Sequence, residues 1–160
     1  MTETKNALNL PAIIVVGALL AIAVALVSQY GFNLQPCPWC VLQRLLFVMI
    51  ALVGALGLPR RMRRYRLLIG GLVLILALLG VAAAAWQHFV AAKSNSCDLT
   101  LAYKIVGMDL HLDRLLPSVF EPRATCAEAA VNLLGIPYDF WSLGVFAVLG
   151  WAAIQYMRRA

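Results

Sequence analysis

Charge is scarce in this chain. Only 12% of its 160 residues are charged and 63% are hydrophobic, and just 7 are acidic. A soluble domain of this length does not carry so few charges, so a membrane protein is expected before any motif is read. Internal repeats and low-complexity tracts beyond the apolar bias are also missing, which excludes repeat arrays and disordered linkers. Histidine occurs 2 times and cysteine 4 times. A zinc site wants four ligands in paired short spacings, and only one short pair exists here, so no metal is expected.

The apolar residues are concentrated. No charge occurs between Lys5 and Arg44, between Arg66 and Lys93, or between Asp139 and Arg158. Segments of roughly 17–25 apolar residues span a bilayer as helices. Four spans are expected, over residues 10–29, 41–58, 67–87 and 140–157. The expected fold is an all-α membrane protein: a four-transmembrane-helix bundle forming a single membrane domain over residues 1–160. The first apolar stretch is too long for a cleaved signal peptide, and the motif after it belongs to a structured unit.

The net charge of +6 hides an asymmetry. Residues 59–66 hold Arg60, Arg61, Arg63, Arg64 and Arg66 and no acid, and Arg158 and Arg159 follow the last span. Residues 88–139 hold Lys93, Lys104, Arg114 and Arg123 against Asp98, Asp109, Asp113, Glu121, Glu128 and Asp139. By the positive-inside rule, loop 59–66 and both termini are cytoplasmic, and loops 30–40 and 88–139 face outward. A basic cluster often marks a nucleic-acid surface. Here it is a short link between spans, so it reads as topology with anionic lipid contact as a second role, and no nucleic acid is expected.

Cys37, Cys40, Cys97 and Cys126 all fall in the two outward loops or at their edge. Disulfides persist outside the cytoplasm and rarely inside it, so cysteine placement agrees with charge placement. Trp86 and Trp141 mark the outer interface, and Trp151 and Tyr156 lie toward the inner end. Within the long loop, Leu110, Leu112, Leu115, Leu116, Val119 and Phe120 alternate with Asp109, Asp113 and Arg114. That pattern predicts a short amphipathic helix on the bilayer surface, or a segment packed on the rest of the loop.

Cys37-Pro38-Trp39-Cys40 opens the second span. Thiol–disulfide exchange needs an attacking thiolate and a second thiol close enough to resolve the mixed disulfide, and a CxxC at a helix start supplies both. Pro38 suits the first helical position, which makes Cys37 an N-cap and puts Cys40 in the first turn. The unpaired amides and helix dipole there favour thiolate. Arg44 follows Cys40 by one turn on the same face. An intramembrane charge is costly and points to function, although a snorkelling arginine at a helix end is the plain alternative. Cys97 and Cys126 would close a loop of about 30 residues, worth roughly 3–4 kcal/mol as a structural staple. His88 ends the third span near the depth of Cys40 and Arg44.

Taken together, these residues resemble the DsbB family of bacterial inner-membrane thiol oxidases. The likeness covers nearly the whole chain. It includes Gln29, Pro36-Cys37-Pro38-Trp39-Cys40 with Arg44, Trp86 and His88, Cys97-Asp98, Cys126-Ala127-Glu128 and Gly135-Ile136-Pro137. The resemblance implies that Cys97 forms a mixed disulfide with a soluble periplasmic DsbA-like partner of thioredoxin fold, and that Cys126 exchanges with Cys37. It implies that Cys40 delivers electrons to a quinone, ubiquinone or menaquinone, with Arg44 near a quinone oxygen and His88 a further quinone-side residue. Gln43 departs from a pattern with an acid just before the arginine, which bears on proton handling.

Two other readings compete. Vitamin K epoxide reductase relatives also place CxxC chemistry in a helix bundle, but their quinone-facing CxxC belongs to a late helix, and the fourth span here has no cysteine. A non-enzymatic membrane protein braced by two disulfides predicts redox-inert bonds.

Overall fold

Four long helices carry the structure, a computed structural model that describes residues 2–93, 101–133 and 135–158. They are α1 (Thr2–Gly31), α2 (Pro38–Leu56), α3 (Arg66–Phe89) and α4 (Tyr138–Arg158). Each contains a stretch long and apolar enough to cross a membrane. Lipid offers no hydrogen bonds, so such stretches must satisfy their backbones internally, and a helix does so within one segment. The expected all-α four-helix membrane class stands.

Local chemistry sets the helix ends that matter for the site. Cys37 is the N-cap of α2 with an extended backbone (φ −86°, ψ 169°), and Pro38 takes the first helical position. Proline there gives up no intrahelical hydrogen bond, since its nitrogen would have been unpaired anyway. Gly57 follows the last turn of α2, and its amide donates back to the Gly54 carbonyl at 2.9 Å. The arginine link then forms a tight turn over Arg60–Tyr65 and leads directly into α3.

The core forms where Ile14 and Ala18 of α1, Phe47 and Ile50 of α2, Val73 and Ala77 of α3, and Phe146 and Leu149 of α4 meet. Small residues decide how closely α3 and α4 approach. Gly80 lies against the Phe146 ring, and a Cβ at Gly80 would overlap that ring. Phe146 in turn stacks on Phe47 with ring centroids 4.0 Å apart. Leucine and valine side chains such as Leu20, Val24, Leu52, Leu79 and Val148 stay exposed on the outside of the bundle. That surface suits lipid rather than water.

Trp86, Trp141 and Trp151 are exposed, as interface anchors require. Tyr156 differs. It is buried against Leu10 and Ile69, with the Arg66 guanidinium 5.5 Å from its ring centroid. Tyr156 is a packing residue because α4 turns this face inward against α3.

The long loop folds as short helical turns over Leu101–Tyr103, Lys104–Asp109, Leu112–Leu115 and Pro117–Phe120. The amphipathic stretch is therefore two one-turn helices. Leu116 breaks it with φ −138° and ψ 69°, since a residue before proline is pushed out of the helical region. Val106 and Phe120 bury against Val41 of α2, while Leu110, Leu115 and Leu116 stay exposed. The stretch thus combines both expected placements, one side docked on α2 and the other open. A two-residue antiparallel pair, β1 (Asn132–Leu133) with β2 (Ile136–Pro137), precedes α4. Gly135 in its turn has φ +81°, a conformation that disfavours any side chain.

Candidate functional site

The start of α2 presents two thiols to different neighbours. Cys37 is fully buried at the N-cap, and its Sγ lies 3.3 Å from Sγ of Cys40 in the first turn. Cys37 also shares a hydrogen bond with Cys126. Cys37, Cys40 and Cys126 are free thiols in this structure. The hydrogen bond to Cys126, then that to Cys40, and then burial hold the Cys37 thiol well above its ordinary range. Cys97 lies outside the described residues.

Backbone and side-chain bonds bring Cys126 to this position from far along the chain. The amides of Arg123 and Ala124 donate to the Pro36 carbonyl at 3.0 and 3.3 Å, stitching the long loop to the residue before Cys37. Thr125 and Glu128 then bracket Cys126. The Thr125 amide and hydroxyl both donate to Glu128 Oε2 at 2.9 Å, and the Glu128 amide donates to the Thr125 hydroxyl at 3.2 Å. This reciprocal pairing has the logic of a capping box. The Thr125 amide, and next its hydroxyl, hold the Glu128 carboxyl below its ordinary range.

Arg44 is buried at 5% exposure, so it does not snorkel. Its Nη1 donates to Gln29 Oε1 at 2.7 Å and to the Val119 carbonyl at 2.9 Å, and Nη2 donates to the Ala25 carbonyl at 3.3 Å. One guanidinium thereby ties α1, α2 and the long loop together. A planar fork can do this where a lysine ammonium cannot.

Beside Cys40 and Arg44 lies a cavity of about 540 Å³. Leu20, Val24, Phe47 and Val145 supply apolar wall, and Cys40, Gln43, Arg44, Gln87 and Asp139 supply a polar end. Leu20 and Val24 are also exposed on the outside of α1, so the cavity wall reaches the lipid-facing surface. The size and lining are those of a small-ligand site with a few orienting polar groups. An apolar molecule with carbonyl oxygens at one end fits such a donor set.

The polar end is a network that sequence reasoning did not find. Gln43 Nε2 donates to Gln87 Oε1 at 2.8 Å. Gln87 Nε2 donates to Cys40 Sγ at 3.2 Å and also to Asp139 Oδ1. Asp139 was expected in the long loop but lies in the first turn of α4, 4% exposed. His88 does not line the cavity. It stands beside Asp139, with Nδ1 3.4 Å from Oδ2, and packs against Phe140 with ring centroids 4.7 Å apart. The available signal was positional: Gln87 precedes His88, and Asp139 is the acid bordering the fourth apolar run.

Known proteins resemble this chain closely. The family model described as "Disulfide bond formation protein DsbB" matches residues 7–155. The chain is 34% identical over 149 residues to Disulfide bond formation protein B of Dechloromonas aromatica, covering 89% of this chain and 88% of that one. It is 33% identical over 139 residues to the protein of that name in Pseudomonas syringae pv. tomato, covering 84% and 82%. Disulfide bond formation protein B 1 of Pseudomonas aeruginosa is 33% identical over 144 residues, covering 85% and 86%. No solved structure matches the chain. The chain belongs to the DsbB family, multi-pass membrane oxidoreductases of disulfide bond formation.

Proposed function

We propose that the protein reoxidises a periplasmic DsbA-like dithiol protein and passes the electrons through two cysteine pairs to a membrane quinone. The reading places it in a bacterial inner membrane, with both termini cytoplasmic and the cysteines on the periplasmic side. One observation carries it: Cys37 hydrogen-bonds both Cys126 and Cys40, and Cys40 lines an apolar cavity. That is the contact order a relay requires.

In this reading, one partner thiolate attacks Cys97 of a Cys97–Cys126 disulfide, forming the mixed disulfide and freeing Cys126. The partner's second thiol then displaces Cys97, so the partner leaves oxidised and Cys97 and Cys126 are left as thiols. The resulting dithiol then reduces the Cys37–Cys40 disulfide, starting with exchange between Cys126 and Cys37. Each exchange transfers two electrons as one S–S bond breaks and another forms. A quinone, ubiquinone or menaquinone, supplies a two-electron, two-proton acceptor when bound. Arg44 and Gln43 are the chain's donors for carbonyl oxygens at the polar end, and Phe47 and Val145 exclude water from the walls. His88 acts from behind Asp139.

The test is oxidation of a reduced thioredoxin-like dithiol protein by the purified protein, with and without added ubiquinone or menaquinone. Quinone should convert a single stoichiometric oxidation into repeated turnover. Cys40→Ser should lose quinone-dependent turnover. Retention of turnover in that variant would sink the proposed electron exit. A wild-type protein inert toward the dithiol would instead favour structural disulfides.

A further inference from the structure

Asp139 is a carboxyl with no assigned task. It is 4% exposed, yet the cation of the site is directed elsewhere: Arg44 donates to Gln29, Val119 and Ala25. Its own partners are Gln87, through Oδ1, and His88, through Oδ2. The titratable or charged groups around it are His88 from α3, Cys40 and Arg44 from α2, and its neighbour Tyr138. Gln43 and Gln87 are amides, so Asp139 is the only acid lining the cavity among the described residues. A carboxyl at an apolar boundary, partnered by a histidine, is a proton-exchanging group by default.

The geometry connects this group to the reacting sulfur. A single amide nitrogen, Gln87 Nε2, donates to both Cys40 Sγ and Asp139 Oδ1. Gln43 pins the other end of that amide, so the carboxyl and the sulfur are held on one side chain and line one cavity. His88 carries the contact outward, with 31% of its side chain exposed against 4% for Asp139.

We propose that Asp139 is the proton carrier of the quinone-linked step, held in register with Cys40 by Gln87 and connected to the outer aqueous face by His88. The inference rests on the quinone reading. Oxidising the Cys37–Cys40 dithiol breaks two S–H bonds and forms one S–S bond. Two electrons and two protons go to the quinone, whose two oxygens each gain an O–H bond. The Asp139 carboxylate accepts each proton across the shared cavity and releases it to the acceptor oxygen, so it starts and ends the cycle ionised. His88 lets the carboxyl equilibrate with the outer phase between turnovers. Gln87 is a positioning residue.

Two measurements on the full-length protein test this. The first is the oxidised-minus-reduced infrared difference spectrum of the Cys37–Cys40 pair in quinone-free protein. It should show a carboxyl band that responds to the redox state and vanishes in Asp139→Asn. The second is the pH profile of single-turnover reduction of a soluble ubiquinone analogue. General acid–base groups contribute about 10²–10⁴-fold, so Asp139→Asn should slow this step by roughly 100-fold and flatten the profile. His88→Gln should flatten the same profile, and Asp139→Glu should restore rate and shape, which a misfolded variant cannot do. A carboxyl band unchanged in Asp139→Asn, or an unaltered pH profile, overturns the carrier. Failure of the wild-type protein to reduce the analogue overturns the quinone reading instead, and the infrared result still decides whether Asp139 exchanges protons with the cysteine pair.

Discussion

Replacing Arg44 by methionine keeps an unbranched apolar stem and removes the guanidinium with its charge and donors. Three acceptors lose a partner: Gln29 Oε1, the Val119 carbonyl and the Ala25 carbonyl. Ala25 lies inside α1, where the helix supplies its carbonyl with a bond, so two acceptors are left in need. A hydrogen bond to a charged group contributes about 1.5–3 kcal/mol, giving roughly 3–6 kcal/mol for two. Hydrogen bonds between membrane helices measure lower, about 0.6–1.7 kcal/mol, so about 3 kcal/mol is the expected loss. The Val119 bond is a tether for the loop that carries Cys126, so partner oxidation should slow along with quinone reduction. If Arg44 also donates to a quinone oxygen, that bond's 1.5–3 kcal/mol corresponds to roughly a 10- to 100-fold rise in the Michaelis constant for quinone. Thermal unfolding in detergent and steady-state kinetics against a ubiquinone analogue measure the two effects. Arg44→Lys should recover part of the stability, since one ammonium cannot reproduce the fork across Gln29 and Val119. An unchanged melting temperature together with an unchanged Michaelis constant in Arg44→Met would refute the reasoning.

Other outcomes follow from the same geometry. Cys40→Ser should accumulate a Cys37–Cys126 disulfide, visible by mass spectrometry after proteolysis without reductant, because Cys37 bonds both sulfurs; its absence contradicts the proposed exchange. Gly80→Ala should cost about 1–3 kcal/mol of stability through overpacking against Phe146, and an unchanged melting temperature would show that the interface relaxes freely. The folded protein holds the Cys37 proton more tightly than an unfolded chain does. Its contribution is complete below the ordinary thiol range and is lost as pH rises through the folded value. Reduced wild-type protein should therefore lose stability more steeply at alkaline pH than reduced Cys37→Ala; equal slopes refute this. At neutral pH, Cys37 should alkylate more slowly than Cys40, which peptide mass mapping checks.

Much of the site was legible because its signals are local. Pro38 after Cys37 specifies a helix start with a thiol at the cap. Four residues from Cys40 to Arg44 put both on one helical face whatever the tertiary fold. The apolar runs were equally plain, since a spanning helix needs only length and composition. The network of Gln43, Gln87 and Asp139 had no such signal. Asp139 opens α4, which is apolar around most of its circumference, so no stripe marks its inner face. A polar residue near a span's end then reads as a boundary, which is how Asp139 was assigned to the loop.

The sequence by itself determined the four apolar spans, the charge asymmetry around them and the CxxC at the mouth of the second helix. These are properties of chain segments, fixed by hydropathy, helix-start chemistry and spacing. Only the tertiary structure decided that Cys126 meets Cys37, that Arg44 is buried as a tie between α1 and the long loop, and that Asp139 comes to Cys40 through Gln87. Several of those contacts join residues far apart in the chain: Gln87 and Cys40 are 47 positions apart, Gln87 and Asp139 52, and Arg44 and Val119 75. The Gln87–Asp139 contact arises because Gly80 lets α4 close against α3, which brings the two helices' outer ends to one wall of the cavity.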